Sequence, residues 1–596
     1  MVERLAHRGP DGRGFHAEEH LVLAHVRLAI HDPSPEGIQP MSDPRGPLVI
    51  AVGGTFHNAP ELRDRFGLAD HPFRSGSDSE LLLPLFRSLG TSVLEHLAGP
   101  FALAAWDRRR QQLVLARDRL GQRPLFFART REGLLFASEI AALLEVLPDR
   151  SLDRRAAAAF LQCGYVPGGN AIVREIQELP PGSFLTADRT GLRLERYWTA
   201  PDDPPRPLSR EEAAATLRRD LERAVATRMR TDRPLGLTLS GGLDSAAIGL
   251  AATEIQGKGR PLTAFTMGFD DPAFDERPAA AETAHALGLP HVTFTYDRDP
   301  GPHLRSLIQR TGEVLGDPSW LPAALLFERA RERAVVFLSG EGGDELLLGY
   351  DRHRFCALAS AGLALQLPRP PRMLLGLAPA GRPRRALAAL RGRDLPGILA
   401  ALVGLLPPEE WRDLVHPELA GLGRTPLEET LAGACRRGRG AAAAGRMDLL
   451  TYLPGDLLPK GDRAAMASGA EVFCPFLDPP LVEHALVMPA RRRLSLRRGK
   501  LPLRDLLRHR LPDHLLRRRK RGFGVPLHAW LVRGAYGRFA EELLGDLRAP
   551  FQGVLRTGEA LSLLQTLRAG RADLAPLVHA CVALALFHDA FLARAS

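Results

Sequence analysis

The segment Ser240-Gly-Gly-Leu-Asp-Ser245 sits between a short apolar run, Pro234 to Leu239, and an Ala/Leu-rich run, Ala246 to Ala252. The first run reads as a buried strand and the second as a helix. Strand, glycine-rich turn and helix, in that order, aim backbone N–H groups at one point, and the helix N-terminus adds a dipole that favours an anion. Two adjacent glycines let the backbone close around a phosphate. The segment lacks the Gly-Lys-Ser/Thr ending of a Walker loop. An ordinary glycine-rich turn would explain two glycines, but not the whole hexapeptide in this context. The chain is thereby held to an α/β fold with an anion site at the carboxyl end of a strand.

A second segment repeats the logic. Val335-Val-Phe-Leu338 reads as another buried strand and runs into Ser339-Gly-Glu-Gly-Gly-Asp-Glu345. Small residues turn the chain at a strand end, now with three carboxylates. A helix start decorated with acids accounts for one of them, less well for three among glycines. Open parallel sheets bind ligands at the carboxyl ends of their strands, so both loops can face one nucleotide. Asp244 and Asp344 are candidate ligands for Mg²⁺, which bridges phosphates to one or two carboxylates.

At 596 residues the chain is expected to form two or more domains. Residues 1–197 hold short apolar runs between turn residues. Leu48 to Val52, Phe101 to Ala105, Gln112 to Ala116 and Leu125 to Phe127 read as strands, and Glu80 to Leu89 as a helix. Residues 198–208 form a Pro-rich linker, Pro201 to Pro207, unable to continue a sheet. In residues 209–596, Ser209 is placed to cap a helix. Strands near 235, 263, 292 and 335 then alternate with helical stretches, which argues a parallel sheet. Residues 356–450 read as mostly helical.

Composition excludes several classes. Hydrophobic content of 45% with 25% charged residues is that of a soluble globular protein. No uncharged apolar run reaches eighteen residues, so no membrane span is expected. The first residues do not form a secretory signal. Five scattered cysteines show neither metal spacing nor a disulfide framework, which suits a reducing cytoplasm. The net charge of +10 is concentrated in Arg491 to Arg493, Arg497-Arg498 and Arg517 to Arg521. With 6% aromatic residues and no RNA-binding motif, solvated helix faces and phosphate contacts explain it better than a nucleic-acid partner.

The two loops, in this order, resemble those of glutamine-dependent asparagine synthetases of the B type, which cleave ATP to AMP and pyrophosphate. The resemblance extends over nearly the whole chain. It rests further on His7-Arg-Gly-Pro-Asp-Gly12, His25-Val-Arg-Leu28, Gly37 to Met41, Ser77-Asp-Ser-Glu80, Ala116 to Gly121 and Phe136 to Glu139. In the C-terminal part it rests on Leu458-Pro-Lys-Gly-Asp-Arg463, Pro475 to Asp478, Gly499-Lys500 and Lys520 to Pro526. The resemblance implies an N-terminal αββα amidohydrolase-like (Ntn) domain, short at its start, and a C-terminal α/β pyrophosphate-loop domain with a parallel sheet. Family members use a cysteine exposed as residue one, with its α-amino group as base. Here Val2 follows Met1 and no cysteine precedes Cys163. Two explanations are weighed: a start assigned too far downstream, or loss of the glutaminase as in beta-lactam synthetases and lasso-peptide cyclases. Gly53-Gly54-Thr55 stands where the family has Asn-Gly-Glu, removing a side-chain oxyanion donor and a charge. Arg27 and Asp78 match residues that grip glutamine.

The resemblance implies that ATP activates a carboxylate as an acyl-adenylate and that an amine then displaces AMP. It implies that Leu239, Ser240, Gly241, Gly242, Leu243, Asp244, Ser245, Met267, Ser339 and Gly340 border ATP, and that Asp244 and Asp344 hold Mg²⁺. Glu341 matches the glutamate that deprotonates the attacking amine, and Lys500 the lysine that stabilises both transition states. Asp317 and Ser319 precede a helix expected to face substrate. Phe473 replaces a family arginine, which leaves either a different acceptor or simple packing. The leading expectation is aspartate to asparagine, with glutamine or ammonia as donor and a homodimer left open. The alternatives are an amide ligase of secondary metabolism or cell-surface modification, and a tRNA-modifying pyrophosphate-loop protein.

Overall fold

The computed structural model describes residues 1–596 except 44–45, 203, 257–261, 365–367, 378–380, 436–438, 519–521, 557–558 and 594–596. Asp203 of the Pro-rich linker, and Arg519, Lys520 and Arg521 of the basic stretch, lie outside the described residues.

The N-terminal part is built on a six-stranded antiparallel sheet. Its strand order is Gly191–Arg196, Ser183–Asp188, Gln112–Arg117, Phe101–Asp107, Leu48–Gly54, Met41–Ser42. Side chains alternate across a strand, so each face has its own core. Ile50, Val52, Leu103 and Ala105 pack with Leu82, Leu85 and Phe86 of the helix Leu82–Leu89. Val49, Ala102 and Ala104 point the other way, onto Leu21, Leu23 and Phe127. Those residues belong to a hairpin, Gly12–Glu18 with Leu21–Arg27, and to a three-stranded sheet around Phe126–Arg129. Helices Ile140–Leu144 and Arg154–Cys163 form the fourth layer. The arrangement is αββα. The expected strands are present, with Leu125 to Phe127 displaced to Phe126–Arg129. The expected helix from Glu80 begins as a 3₁₀ turn, Asp78–Leu81.

The C-terminal part is built on five parallel strands: β1 (Leu235–Thr238), β2 (Thr263–Gly268), β3 (His291–Thr295), β4 (Val336–Leu338) and β5 (Glu471–Phe473). Their order is β3-β2-β1-β4-β5. β5 is a strand that the sequence pattern did not predict. It is three residues long, and more than a hundred residues of helix separate it from β4. Ser209 caps the helix Arg210–Arg228 through a capping box with Glu212. Helices between residues 351 and 450 form a satellite core around Ile398, Leu399 and Leu427. The helical stretch Ala572–Phe591 is long and apolar enough to cross a bilayer, but 78% of its apolar window is buried inside the protein, where Leu577, Val578 and Leu584 join the main core.

A buried charge cluster ties the two parts together. Asp118 accepts the backbone N–H groups of Leu120, Gln122 and Arg123, and Arg117 grips the Arg123 carbonyl at 2.6 Å. This turn presents Arg123 to Asp462 at 2.8 Å and also to Glu471 on β5. Arg8 bonds Glu139 and Asp462, each at 2.8 Å, and Arg463 bonds Asp462 at 2.7 Å and Glu313 at 2.6 Å. Asp462 therefore serves three guanidinium groups, which hold its carboxyl far below the usual range against the opposing effect of burial.

Breaking a buried ion pair by removing one partner typically costs about 3–5 kcal/mol, because the remaining charges are left uncompensated. Asp462→Asn is expected to lower the melting temperature and to make the 198–208 segment easier to cleave in limited proteolysis. A melting temperature equal to wild type would show that the cluster does not hold the parts together.

Candidate active site

The strand order reverses direction between β1 and β4, and ligand crevices in open α/β sheets form at such a switch point. The chain leaves β1 through Leu239 and Ser240 and enters the helix Leu243–Gln256. It leaves β4 through Ser339 to Gly342 and enters the helix Gly343–Leu347. A cavity of about 620 Å³ opens where the two turns meet. Leu239, Ser240, Gly241, Gly242, Leu243, Asp244, Ser245, Met267, Ser339, Gly340, Glu341, Asp344 and Lys500 all line it. The synthetase residues picked from the sequence are thus brought together in one place.

The turns are stitched at close range. Thr238 Oγ1 meets Ser339 Oγ at 3.1 Å, and Ser339 in turn hydrogen-bonds Glu341. Gly241 has φ +66, and a Cβ there would come within 3.0 Å of the Ala279 backbone, so only glycine suits the turn. Lys500 reaches in from a separate segment. It sits at the start of the helix Leu501–Leu507 with φ 56, a left-handed conformation that costs a side-chain-bearing residue energy. Its backbone N–H donates to Leu347 at 3.0 Å. Its ammonium contacts Asp244 and lies 2.7 Å from Asp344. Gly349 makes the approach feasible: a Cβ there would fall 2.0 Å from Asp344 Oδ1 and 2.2 Å from Lys500 Cε.

Asp244 Oδ1 is buried and has no hydrogen-bond partner. An orphaned carboxylate oxygen beside a second carboxylate suits Mg²⁺, which completes its shell with phosphate and water oxygens. No set of three or more His, Cys, Asp or Glu placed to hold a metal occurs among the described residues. The donor set is that of a metal carried in with phosphates.

A second polar group lines the same cavity, and the sequence reading had it only in part. Asp317 accepts from Lys460 Nζ at 2.7 Å and from Ser319 Oγ at 2.7 Å. Lys460 also reaches Ser319 at 3.1 Å. Asp456 lies one turn before Lys460, in a π-helical stretch, Leu453–Leu457. Burial and the charge of Asp317 raise the Asp456 carboxyl. Burial alone would lower the Lys460 ammonium, but Asp317 and Asp456 more than offset it. Lys460 was within reach of sequence reasoning, since it lies in Leu458 to Arg463. Glu345 was named as one of three acids without a role. Burial pushes it up to about 7 against the opposing effect of a 2.6 Å hydrogen bond from Tyr350.

Other expected residues lie elsewhere. Arg27 spends its guanidinium on the carbonyls of Ser34 at 2.6 Å, His31 at 3.2 Å and Asp32. Asp78 accepts from the Phe56 N–H at 2.6 Å, beyond the end of the Leu48–Gly54 strand. Phe473 is fully buried and does not line the cavity. Its ring meets that of His57 edge-on at 4.6 Å, across the contact between the two parts of the chain. Packing, not acceptor choice, accounts for it.

Glu345 gives a pH-dependent prediction. A buried carboxylate with a raised value binds more protons folded than unfolded between about pH 4.5 and 7, so folding stability falls as pH rises through that window. A rise from 4.5 to about 7 corresponds to an upper limit of ~3 kcal/mol. Glu345→Gln cannot ionise. Its melting temperature relative to wild type is expected to climb between pH 5 and pH 8. A constant difference would show that Glu345 does not keep its proton.

Comparison with known proteins gives the family of the chain. The asparagine synthase family model matches residues 216–589, and that of the glutamine amidotransferase domain matches residues 1–198. A Mycobacterium tuberculosis protein described as a putative asparagine synthetase [glutamine-hydrolyzing] is 31% identical over 591 residues, spanning 91% of this chain and 86% of its own length. Asparagine synthetase [glutamine-hydrolyzing] 1 of Bacillus subtilis is 28% identical, spanning 89% and 84%. A Penicillium rubens protein named amidase chyE is 27% identical, spanning 89% and 84%.

Proposed function

The chain belongs to the asparagine synthase family, and from that premise we propose that it activates a carboxylic acid as its adenylate and converts it to an amide. It is an ATP-dependent carbon–nitrogen ligase of the AMP-forming amidotransferase type. The observation that carries the reading is the Lys500 ammonium in contact with Asp244 and Asp344 on the two loops.

In this reading the backbone from Ser240 to Ser245 cradles the pyrophosphate. Leu239, Met267, Ser339 and Gly340 border the adenosine. Asp244 and Asp344 would hold Mg²⁺, which would neutralise charge on the phosphates. In the first step an oxygen of the acid forms a bond to the α-phosphorus, and the bond to the pyrophosphate oxygen breaks. Lys500 turns its charge from the two aspartates to the phosphates, where negative charge gathers in the transition state. In the second step the amine nitrogen bonds to the acyl carbon, AMP leaves, and Glu341 takes the amine proton. Arg27 and Asp78 are, in this reading, the vestige of a glutamine site, Arg27 being held by backbone carbonyls and Asp78 by the Phe56 N–H. Gly53 and Thr55 offer neither a side-chain amide nor a charge, so this reading favours ammonia or a free amine as donor. The relatives named asparagine synthetase make aspartate the first acid to test, and those named amidase make other acids the second.

With ATP, Mg²⁺, a turned-over acid and ammonia, the protein is expected to release AMP and pyrophosphate. ADP and phosphate would contradict the reading. Asp344→Ala is expected to cut pyrophosphate release on the order of a hundredfold or more, the usual cost of losing one electrostatic group at a transition state. Its circular dichroism should match wild type. Unchanged release would remove Asp344 from the site.

A further inference from the structure

A second group of cavity-lining residues, its far end, is tied together by backbone hydrogen bonds beside Asp317. Cys163, Gly164, Gly316, Val403, Leu405 and Pro576 line this far end. Four separate parts of the chain close it. Gly316 donates its N–H to Gly164 at 2.7 Å, and Leu405 donates to Gln162 at 2.7 Å. A Cβ on Gly164 would stand 3.7 Å from Leu405, and one on Gly316 would meet Ala580 at 3.3 Å. The wall is therefore close-packed at Gly316 and in ordinary contact at Gly164. It is also neutral: burial pushes the Cys163 thiol well up, and its sulfur donates to the carbonyls of Ala159 and Tyr165, both at 3.2 Å.

The charges lining the cavity are unevenly shared. Lys500 and Arg504 stand at the phosphate side, where Lys500 bridges Asp244 and Asp344 and Arg504 bonds the Gly499 carbonyl at 3.0 Å. Arg518 lies two residues from the Leu516 carbonyl that Arg504 grips. At the entrance to the far end, Lys460 is committed to Asp317 and Ser319. Asp456 and Glu341 also act on it. Asp456 is itself buried, and its Oδ1 has no hydrogen-bond partner. A second carboxylate on the substrate would meet acids there, with one cation already paired. Burying such a charge without a partner is costly.

We infer that the far end seats the body of the acceptor acid. The acceptor is a carboxylic acid with an apolar body and no second carboxylate near the reacting one. The Asp456 carboxyl already takes a hydrogen bond from Tyr452, and its Oδ1 atom is left for one hydrogen-bond donor of that body. The inference rests on the adenylation reading and narrows its substrate class. Apolar pockets discriminate about 10–200-fold per methylene, so the preference is measurable.

The test uses the full chain with ATP, Mg²⁺ and ammonia as the amine, and reads pyrophosphate release with aspartate, hexanoate, 3-phenylpropanoate and 6-aminohexanoate. At least one apolar-bodied acid is expected to exceed aspartate tenfold or more in kcat/KM. Leu405→Trp should raise that acid's KM at least tenfold and leave the KM for ATP unchanged. If that variant does not fold, Leu405→Ala should shift the preference toward a longer acid. Aspartate outpacing all three acids overturns the inference while leaving adenylation standing. So do Leu405 variants that leave the ranking unchanged. No pyrophosphate with any acid overturns the adenylation reading, and this inference with it.

Discussion

The Lys500 ammonium is what allows Asp244 and Asp344 to share one small volume. Two carboxylates a few ångströms apart repel, and burial strengthens the repulsion. A cation between them removes that penalty and joins three distant parts of the sequence: the turn after β1, the turn after β4 and the start of the helix Leu501–Leu507. Backbone features follow from it. Lys500 takes a left-handed conformation, and Gly349 leaves the space its side chain crosses. A contact this constrained is well placed to exchange. Asp244 and Asp344 would be the residues to hold Mg²⁺, and Lys500 is placed to meet negative charge brought in by phosphates.

The second organising feature is the Asp462 cluster. Arg8, Arg123 and Arg463 converge on one carboxylate, and Glu471 draws Arg123 onto β5. β5 is the edge of the nucleotide-binding sheet, so the N-terminal part is anchored to the element that flanks β4 and its acidic turn. A charge network of this kind adds little net stability over apolar packing but fixes one relative arrangement. The apolar core runs on beside it, from Leu143 and Phe160 to Leu237 and Phe337.

Much of this was legible in the sequence because it depends on local patterns. The glycine-serine-aspartate turns follow apolar runs, and a parallel sheet forces such turns to one end. Strands at 48–52, 101–105 and 112–116 alternate or run apolar as sheet residues must. What escaped depends on distance. β5 is three residues long and gains its identity only by pairing with β4. Arg8 and Asp462 lie inside motifs that carry the family resemblance and Arg123 just past one, yet nothing local says that they meet across the two parts. The sequence leaves Phe473 open between a different acceptor and simple packing, and its burial against His57 favours packing. The pairing of Lys460 with Asp317 spans more than a hundred residues and needed the fold.

The central claim is that the two turns and Lys500 cleave ATP between its α- and β-phosphates by making an acyl-adenylate. The most direct measurement supplies the turned-over acid with ¹⁸O in its carboxylate and reads the phosphorus products by mass spectrometry. The account predicts one ¹⁸O atom in the phosphoryl group of AMP and none in pyrophosphate. Label in inorganic phosphate, or AMP without label, would contradict it.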